Sequence, residues 1–272
     1  MAAFNVCKPC RYGPMVFNPQ DAYVGRSLDV YGEYSQGEVV LFEQLVRAGD
    51  VVVEVGANVG AHTVPLAQRV GPAGRVFAFE PQRVLFQTIC GNLALNSLTN
   101  TVVRNEAVGA AAGVVAVPSL DYSHPANYGG LALGPEADWA GKQVPIEPVP
   151  VVTLDSLQLL RCRLLKVDVE GMEADVIRGG AETLKRCRPM LYVENDRKDK
   201  AEELVGLLKE LGYALYWHTP PLYLPDNFAN NPENVFGNVL SINVFGVPAE
   251  WTDITLDGFL PVTDPVHPVL KG

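Results

Sequence analysis

The chain has 272 residues, and its 31 acidic and 21 basic side chains give a formal net charge of −10 at pH 7. Hydrophobic residues make up 48% and charged residues 19%, a composition typical of a globular core and not of a disordered chain. The largest basic cluster, DRKDK at 196–200, is interrupted by acids, which argues against nucleic acid and against an anionic membrane surface as partners.

The cysteines and the N-terminal residues indicate the compartment. The chain starts without a basic flank followed by an apolar run, so we expect no signal peptide, and no window of about 18 unbroken apolar residues suggests a membrane span. Five cysteines, an odd number, fit a reducing cytoplasm. Cys7 and Cys10 form a lone C-x-x-C, which we interpret as free thiols, with metal or redox use as the alternative.

In chain order, the predicted elements begin with an extension and end with a tail. Short strand-like pieces fill residues 1–36, an N-terminal strand and cap extension. A helix is predicted over 37–48, where a catalytic domain begins that runs to residue 248. Residues 249–272, rich in proline, are expected to form an extended C-terminal tail.

Strands and helices alternate through the catalytic domain. Strands are predicted at 51–55, 75–79, 101–104, 164–169, 190–194, 213–217 and 239–247. Helices are predicted at 59–69, 82–96, 155–160, 173–186 and 199–211. Pro65 is expected to kink the first of these, and Gly179-Gly180 to break the fourth. The alternation predicts an α/β fold with a mostly parallel sheet, with the last two strands antiparallel at one edge and ligands at the C-terminal strand ends.

The turn after the first strand of this alternation reads Gly56-Ala57-Asn58-Val59-Gly60. Asn58 replaces the middle glycine of the dinucleotide fingerprint, so the turn does not favour a pyrophosphate. Glu54, just before the turn, is placed to meet a cation or an amine, as S-adenosylmethionine carries. The alternative is a plain tight turn beside an exposed acid.

Two further strand ends carry polar residues. Glu80 closes the second strand and is placed to accept hydrogen bonds from both ribose hydroxyls of an adenosine, unless it is only a solvated acid. Asn105 and Glu106 follow the third strand, where an adenine amino group could be read. Taken alone, this last pattern is weak.

Lys166, Asp168 and Glu170 stand at alternate positions of an apolar strand and therefore project from one face. Burying three charges in a pure core would be costly, so we place them at the ligand crevice. They are candidates for the base of the reaction, together with His124 and His218, which sit in loops and are alternatively only solvated.

Five stretches carry a family resemblance: GDVVVEVGANVGAHT (49–63), VFAFEP (76–81), VVTLDSL (151–157), LLKVDVEGMEADVIRGG (164–180) and PMLYVEN (189–195). They resemble the FkbM family of class I S-adenosylmethionine-dependent methyltransferases, and K-x-D-x-E-G-x-E is the most specific motif. The resemblance implies a Rossmann-like three-layer sandwich with a mostly parallel seven-stranded sheet, an antiparallel edge strand and the N-terminal strand extension. Pro65 departs from the family pattern.

The resemblance also implies the activity and its site. Family members typically methylate a hydroxyl oxygen of a polyketide, sugar or other natural product. Asp168 is implied to face the reacting centre, and Tyr34 and Ser35 to contact the methionine end of the cofactor. The residues implied to line the cofactor site are Glu54, Gly56, Asn58, Gly60 and Glu80.

A metal-assisted version of the reaction is also open. Asp168 ends one strand, and Glu194 with Asn195 ends the next, a layout similar to the magnesium site of catechol-type O-methyltransferases. Oxygen ligands suit Mg²⁺, which would lower the pKa of an acceptor hydroxyl. The alternative is that Glu194 and Asn195 only cap the sheet and bind water.

The acceptor is predicted only by class. The loops at 119–143 and 218–238 are rich in aromatic residues and poor in charge, which favours a neutral, ring-containing or glycosyl small molecule with a hydroxyl group. A homodimer is left open. Two other readings compete: a catalytically silent protein that keeps the fold to bind the cofactor or a partner, and a nicotinamide-dependent oxidoreductase, against which Asn58 argues.

Overall fold

A computed structural model describes residues 3–133, 139, 143–252 and 258–271. Its strands are β1 (Val6–Cys10), β2 (Gly13–Phe17), β3 (Val51–Val55), β4 (Arg75–Phe79), β5 (Thr101–Arg104), β6 (Ala107–Val108), β7 (Gly113–Pro118), β8 (Ile146–Val152), β9 (Leu164–Val167), β10 (Met190–Glu194), β11 (Tyr213–His218), β12 (Asn243–Pro248) and β13 (Leu260–Pro261). Its α-helices are α1 (Val24–Tyr31), α2 (Gln36–Leu45), α3 (Thr63–Val70), α4 (Arg83–Leu95), α5 (Glu173–Arg178), α6 (Ala181–Cys187) and α7 (Lys198–Glu210). Short 3₁₀ turns cover Leu154–Leu157 and Pro268–Lys271.

The central sheet has the strand order β13-β11-β12-β10-β9-β3-β4-β5. Strands β10, β9, β3, β4 and β5 pair in parallel, which confirms the predicted α/β fold with a mostly parallel sheet. The reversed strand, β12, pairs antiparallel with both β10 and β11, so it lies inside the edge and not at it. The two-residue β13 adds an eighth strand beside β11.

Side chains of the strands alternate between the two faces of this sheet and so supply two cores. Val53 and Leu191 point to one face and pack with residues of α5, α6 and α7. Val52 and Met190 point to the other and pack with α2 and α3. Helices therefore cover both faces, as strands buried on each side require.

Two predicted irregularities have different outcomes. Pro65 falls in the first turn of α3, where a backbone N–H has no partner inside the helix, so the helix continues unbroken to Val70. The expected kink is absent because the helix begins four residues later than predicted. Gly179 and Gly180 do separate α5 from α6, and a Cβ on Gly179 would lie 2.0 Å from the carbonyl oxygen of Gly109.

The extensions at both ends pack onto this body. The hairpin of β1 and β2 packs with α1 and α4 around Phe17 and Ile89. The C-terminal tail is not extended throughout, because it contributes β13 and a 3₁₀ turn. A separate small sheet joins β6, β8 and β7. None of the helices in the described residues has the length and apolar character needed to cross a membrane.

Candidate active site

A cavity of about 290 Å³ opens where β3, β4, β9 and β10 end, the edge at which a parallel α/β sheet binds its ligands. Its lining is acidic, with Glu54, Glu80, Asp168, Glu170, Glu194 and Asp196. Lys166 is the one lysine or arginine that lines it within the described ranges. The cavity thus offers a mostly negative surface to whatever it holds.

The turn after β3 forms the back of this cavity. Gly56 has a φ of +85°, and a Cβ there would lie 1.8 Å from the carbonyl oxygen of Asp168, so only glycine allows β3 and β9 to approach this closely. Asn58 also has a positive φ, of +51°, which asparagine tolerates better than most residues. Its Oδ1 accepts a hydrogen bond from the backbone N–H of Val59, which holds the turn. Gly60, at φ +88°, packs against Ile89.

Glu54 lies on β3 below this turn and is 1% exposed. Its carboxylate accepts a hydrogen bond from Thr63 Oγ1 at 2.6 Å, and Lys166 Nζ lies 4.0 Å away. Burial raises the pKa of Glu54 to about 7, although Lys166 and Thr63 act in the opposite direction. A positively charged ligand in the cavity would therefore favour its ionised form.

Glu80 follows β4 and holds the glycine turn in place. One carboxylate oxygen accepts the backbone N–H of Asn58 and the other that of Gln82, both at 2.8 Å. Burial raises the pKa of Glu80 to about 7 against these two bonds. A carboxylate can accept about four hydrogen bonds, so Glu80 keeps room for two donors from a ligand.

Lys166 and Asp168 form the charged centre of the site. Lys166 Nζ donates to Asp168 Oδ2 at 3.0 Å, and the lysine side chain is 2% exposed. Burial acts to lower the pKa of Lys166, but Asp168, Glu54 and Glu38 outweigh it, and the net shift is upward. Burial acts to raise the pKa of Asp168, and Lys166 outweighs that too, so this carboxylate stays ionised. Lys166 therefore stays protonated and cannot serve as the base.

Two more acids stand beside Asp168. Carboxylate oxygens of Asp168, Glu170 and Glu194 lie within 4.8 Å of one another. Burial, followed by the charge of Asp168, raises the pKa of Glu170 to about 7 and that of Glu194 well above its usual value. Glu170 also pairs with Arg197. Lys166, Asp168 and Glu170 all line the cavity, as expected, although β9 ends at Val167 and Glu170 sits in a turn with φ +57°.

Asn195 does not lie where the predicted magnesium site requires it. Its side-chain amide donates to the carbonyl of Pro265 at 2.9 Å, and its residue does not line the cavity. The third carboxylate near Asp168 and Glu194 is instead that of Glu170. The arrangement could hold a hard divalent ion through carboxylates alone.

The two histidines predicted as candidate bases are not among the residues that line the cavity. His218 ends β11, and its Nδ1 shares a hydrogen bond with Tyr192 Oη at 2.8 Å. His124 is exposed and pairs with Asp121 at 3.0 Å. The histidine that lines the cavity is His62, which the sequence reasoning missed. Its place directly after the glycine turn, next to the first residue of α3, was the signal that could have found it.

Of the remaining residues predicted to bind the cofactor, two line a cavity and two do not. Tyr34 lines the cavity, whereas Ser35 is fully buried and donates to Glu38 at 2.9 Å. Glu106 lines a smaller cavity that adjoins the first one. Asn105 lines neither, because its amide donates to the carbonyls at Glu80 and Pro81.

The smaller cavity is a mostly apolar slot. It shares Gly56, Glu80, Asp168 and Glu170 with the large cavity. Its remaining walls are largely apolar, with Phe79, Val108, Leu131, Leu133, Val169 and Met172. This lining has the character that suits an apolar ring, and Glu106 supplies an acceptor.

The large cavity also has an apolar wall. It comes from the connection between β11 and β12 and includes Leu222, Val239, Leu240 and Ile242. This connection is anchored where Ser241 Oγ donates to Glu38 Oε1 at 2.6 Å and where Tyr31 Oη donates to the carbonyl of Glu233 at 2.8 Å. Of the other loop predicted to shape the pocket, Asn127, Gly129 and Gly130 line the cavity, while 134–138 and 140–142 lie outside the described residues.

Comparison with known proteins identifies the kind of chain that carries this site. A family model described as the FkbM methyltransferase domain matches residues 54–215, more than half of the 272 residues. Methyltransferase 1 of Beauveria bassiana is 26% identical over 197 residues, which cover 64% of this chain and 76% of that protein.

Two shorter or more distant similarities accompany this one. The catalytic subunit of tRNA (adenine(58)-N(1))-methyltransferase from Cryptococcus neoformans is 36% identical over 77 residues, 26% of this chain and 18% of that subunit. The crystal structure of methyltransferase FkbM from Methylobacillus flagellatus superposes with a TM-score of 0.49 and 14% identity, over 77% of this chain and 50% of that one. The chain thus corresponds to half or less of the length of each.

Proposed function

The chain belongs to the FkbM family of methyltransferases; on that premise we propose that it transfers the methyl group of S-adenosylmethionine to a hydroxyl oxygen of a small, neutral natural product or sugar. The observation that carries the proposal is the pair Asp168 and Glu170, which lines the same cavity as the apolar wall of the β11–β12 connection. Proton acceptors and an apolar surface for a ring thus face one space.

The residues of the two cavities fit the cofactor. Glu80 keeps capacity for two donors, which suits the paired ribose hydroxyls. The apolar slot with Glu106 suits an adenine ring and its amino group. The acids of the large cavity suit the positive charges at the methionine end. Gly56 lines both cavities, and a side chain at this position would overlap the backbone of Asp168.

The acceptor hydroxyl must be aligned and its proton removed. S-adenosylmethionine, when bound, supplies a methyl group on a positively charged sulfur. Asp168 remains ionised beside Lys166 and can accept the hydrogen bond that orients the hydroxyl. Glu170, with its pKa of about 7, can take the proton near neutral pH.

The charge of the cavity supports a neutral acceptor. Six acids line it against Lys166, and Asp168 among them stays ionised, so a phosphorylated acceptor or a nucleic-acid backbone would meet like charge. The similarity to the tRNA methyltransferase subunit covers only 26% of this chain and does not offset that repulsion. The walls at Leu222, Val239 and Leu240 favour an acceptor with an apolar or ring surface.

A divalent ion is a second way to activate the same hydroxyl. The observation that favours it is the group Asp168, Glu170 and Glu194, whose oxygens lie within 4.8 Å of one another. Under this alternative EDTA abolishes turnover and Mg²⁺ restores it. Under the base mechanism EDTA leaves turnover unchanged.

The test is transfer of a labelled methyl group from S-adenosylmethionine to a panel of neutral hydroxylated rings and sugars, with phosphorylated sugars and tRNA in parallel. We expect product with a neutral acceptor, and Asp168→Asn should lower kcat by about 100-fold or more, as loss of a catalytic carboxylate does. Asp175→Asn, on the exposed face of α5, is the matched control and should leave kcat unchanged. Transfer to nitrogen, or to tRNA alone, would contradict the proposal.

A further inference from the structure

His62 is a buried polar side chain with one nitrogen unused. The residue is 5% exposed and lines the large cavity between the glycine turn and α3. Its ring is held by Tyr34, with centroids 5.5 Å apart, and by the edge of Phe42 at 5.6 Å. Nε2 is buried and finds no hydrogen-bond partner among the described residues. A buried nitrogen without a partner costs free energy, so its retention points to a ligand.

The protonation of the ring follows from its surroundings. Burial, with the nearby Lys166 ammonium, lowers the pKa of His62 to about 3, so the imidazole is neutral at physiological pH. A hydrogen bond to the backbone of Tyr34 acts to raise that pKa, as a bond donated by the ring does. Since Nε2 has no partner among the described residues, we assign this bond to Nδ1–H. Nε2 therefore carries the lone pair and can only accept a hydrogen bond.

A second acceptor faces the same nitrogen. Glu38 Oε2 lies 3.8 Å from His62 Nε2, too far for a hydrogen bond between them. The other oxygen of Glu38 is already occupied by Ser35 Oγ and Ser241 Oγ, at 2.9 and 2.6 Å. Glu38 is 3% exposed and is not among the residues that line the cavity, so it supplies negative charge near Nε2 and not a second contact for a ligand.

We infer that His62 Nε2 accepts a hydrogen bond from the ammonium group at the methionine end of S-adenosylmethionine, with the buried carboxyl group of Glu38 nearby to balance the charge. The inference rests on the proposed placement of the cofactor in this cavity. His62 then recognises the amino group through a directional hydrogen bond, whereas the acids of the lining attract positive charge without fixing a direction. A neutral nitrogen held rigidly by Tyr34 and Phe42 fixes a direction.

An ammonium fits this position better than a hydroxyl does. It carries three N–H donors and no acceptor, so it can donate to Nε2 and places no lone pair against that nitrogen. Its charge is also balanced by Glu38 and Glu54, which are buried acids of the same region. The acceptor hydroxyl, by contrast, is assigned to Asp168 and Glu170.

The experiment compares two ligands by calorimetry: S-adenosylhomocysteine and its deaminated counterpart, which keeps the adenosine, the thioether and the carboxylate. His62→Phe removes the lone pair and keeps a ring of similar size for Tyr34 and Phe42. We expect the wild-type protein to prefer the amino compound, and His62→Phe to lose about 10- to 100-fold of that preference. Affinity for the deaminated compound should hardly change. His124→Phe, at an exposed loop histidine, is the control and should keep the full preference.

The outcomes separate this inference from the proposed function. If the wild-type protein binds neither ligand, the proposed cofactor site fails with the inference. If both ligands bind and His62→Phe keeps the full preference, or weakens both ligands equally, the inference alone is overturned. Should His62→Phe fail to fold, as circular dichroism would show, His62→Leu gives the same comparison, because it also removes the acceptor.

Discussion

Glu54 is placed to recognise the positive charge of the cofactor, and Glu80 is placed beside it to accept the ribose hydroxyls. Each is almost completely buried, and in each case burial raises the pKa to about 7. A carboxyl group with a pKa of about 7 is about half protonated at neutral pH, and a nearby cation favours its ionised form. Their ionisation should therefore be coupled to binding of a positively charged ligand.

Binding of S-adenosylmethionine should tighten as the pH rises from 6 to 8. The sign follows because a bound positive charge lowers the carboxyl pKa from about 7, so that binding below that pH releases protons. The expected slope is up to about tenfold in affinity per pH unit for each proton released. Calorimetry in buffers of different ionisation enthalpy measures the released protons. Uncharged 5′-methylthioadenosine should show a shallower dependence; equal slopes would contradict the coupling.

At this scale the sequence predicted the acids but not the histidine. Glu54, Glu80, Asp168 and Glu170 follow or end strands, and a parallel sheet brings such positions to one edge. His62 lies within a helix start, where its side-chain direction depends on contacts with Tyr34 and Phe42 that are remote in sequence. No local pattern records such contacts, and for the same reason His218 was expected in the cavity but bonds to Tyr192.

Among the elements, the junction between helices α5 and α6 depends on a close approach of two backbone segments. A Cβ at Gly179 would lie 2.0 Å from the backbone oxygen of Gly109, where β6 ends. Gly91, in the exposed middle of α4, has no atom within 4 Å of the same position. Gly179 therefore lies at a crowded helix junction, whereas Gly91 lies on an open helix face.

Gly179→Ala should destabilise the protein by about 1–3 kcal/mol, because the new methyl group overlaps a backbone that cannot easily move. Gly91→Ala should stabilise it by about 0.5–1 kcal/mol, since alanine loses less entropy in a helix. Urea unfolding followed by circular dichroism measures both. A stabilising Gly179→Ala would show that the junction is not closely packed.

Element types were predictable, and element positions less so. Short runs of apolar residues predicted every long strand of the central sheet, because parallel strands that are buried on both faces are continuously apolar. The start of α3 was placed too early because the glycine turn delays the helix to Thr63, and this shift is what accommodates Pro65. The place of β12 inside the edge follows from long-range pairing with β10, which no local pattern records.

The whole molecule combines a family-typical sheet with a cavity of strongly acidic lining. The parallel order of β10, β9, β3 and β4 gathers the acids at one edge, and the β11–β12 connection adds an apolar wall to the same cavity. Length, composition and alternation predicted the class of fold. The acceptor could not be predicted more narrowly, because the walls that contact it are irregular loops whose conformation is set by tertiary contacts.

The central claim is that this strand-end cavity is the S-adenosylmethionine site, and calorimetric titration of the wild-type protein and Glu80→Ala tests it most directly. We expect one site per chain, and an affinity for S-adenosylmethionine about 10- to 100-fold weaker in Glu80→Ala, which loses hydrogen bonds to a charged group. Glu147→Ala, at a surface pair with Arg83, should bind as the wild type does. No binding to the wild-type protein, binding of NAD(H) instead, or unchanged affinity in Glu80→Ala would contradict the account.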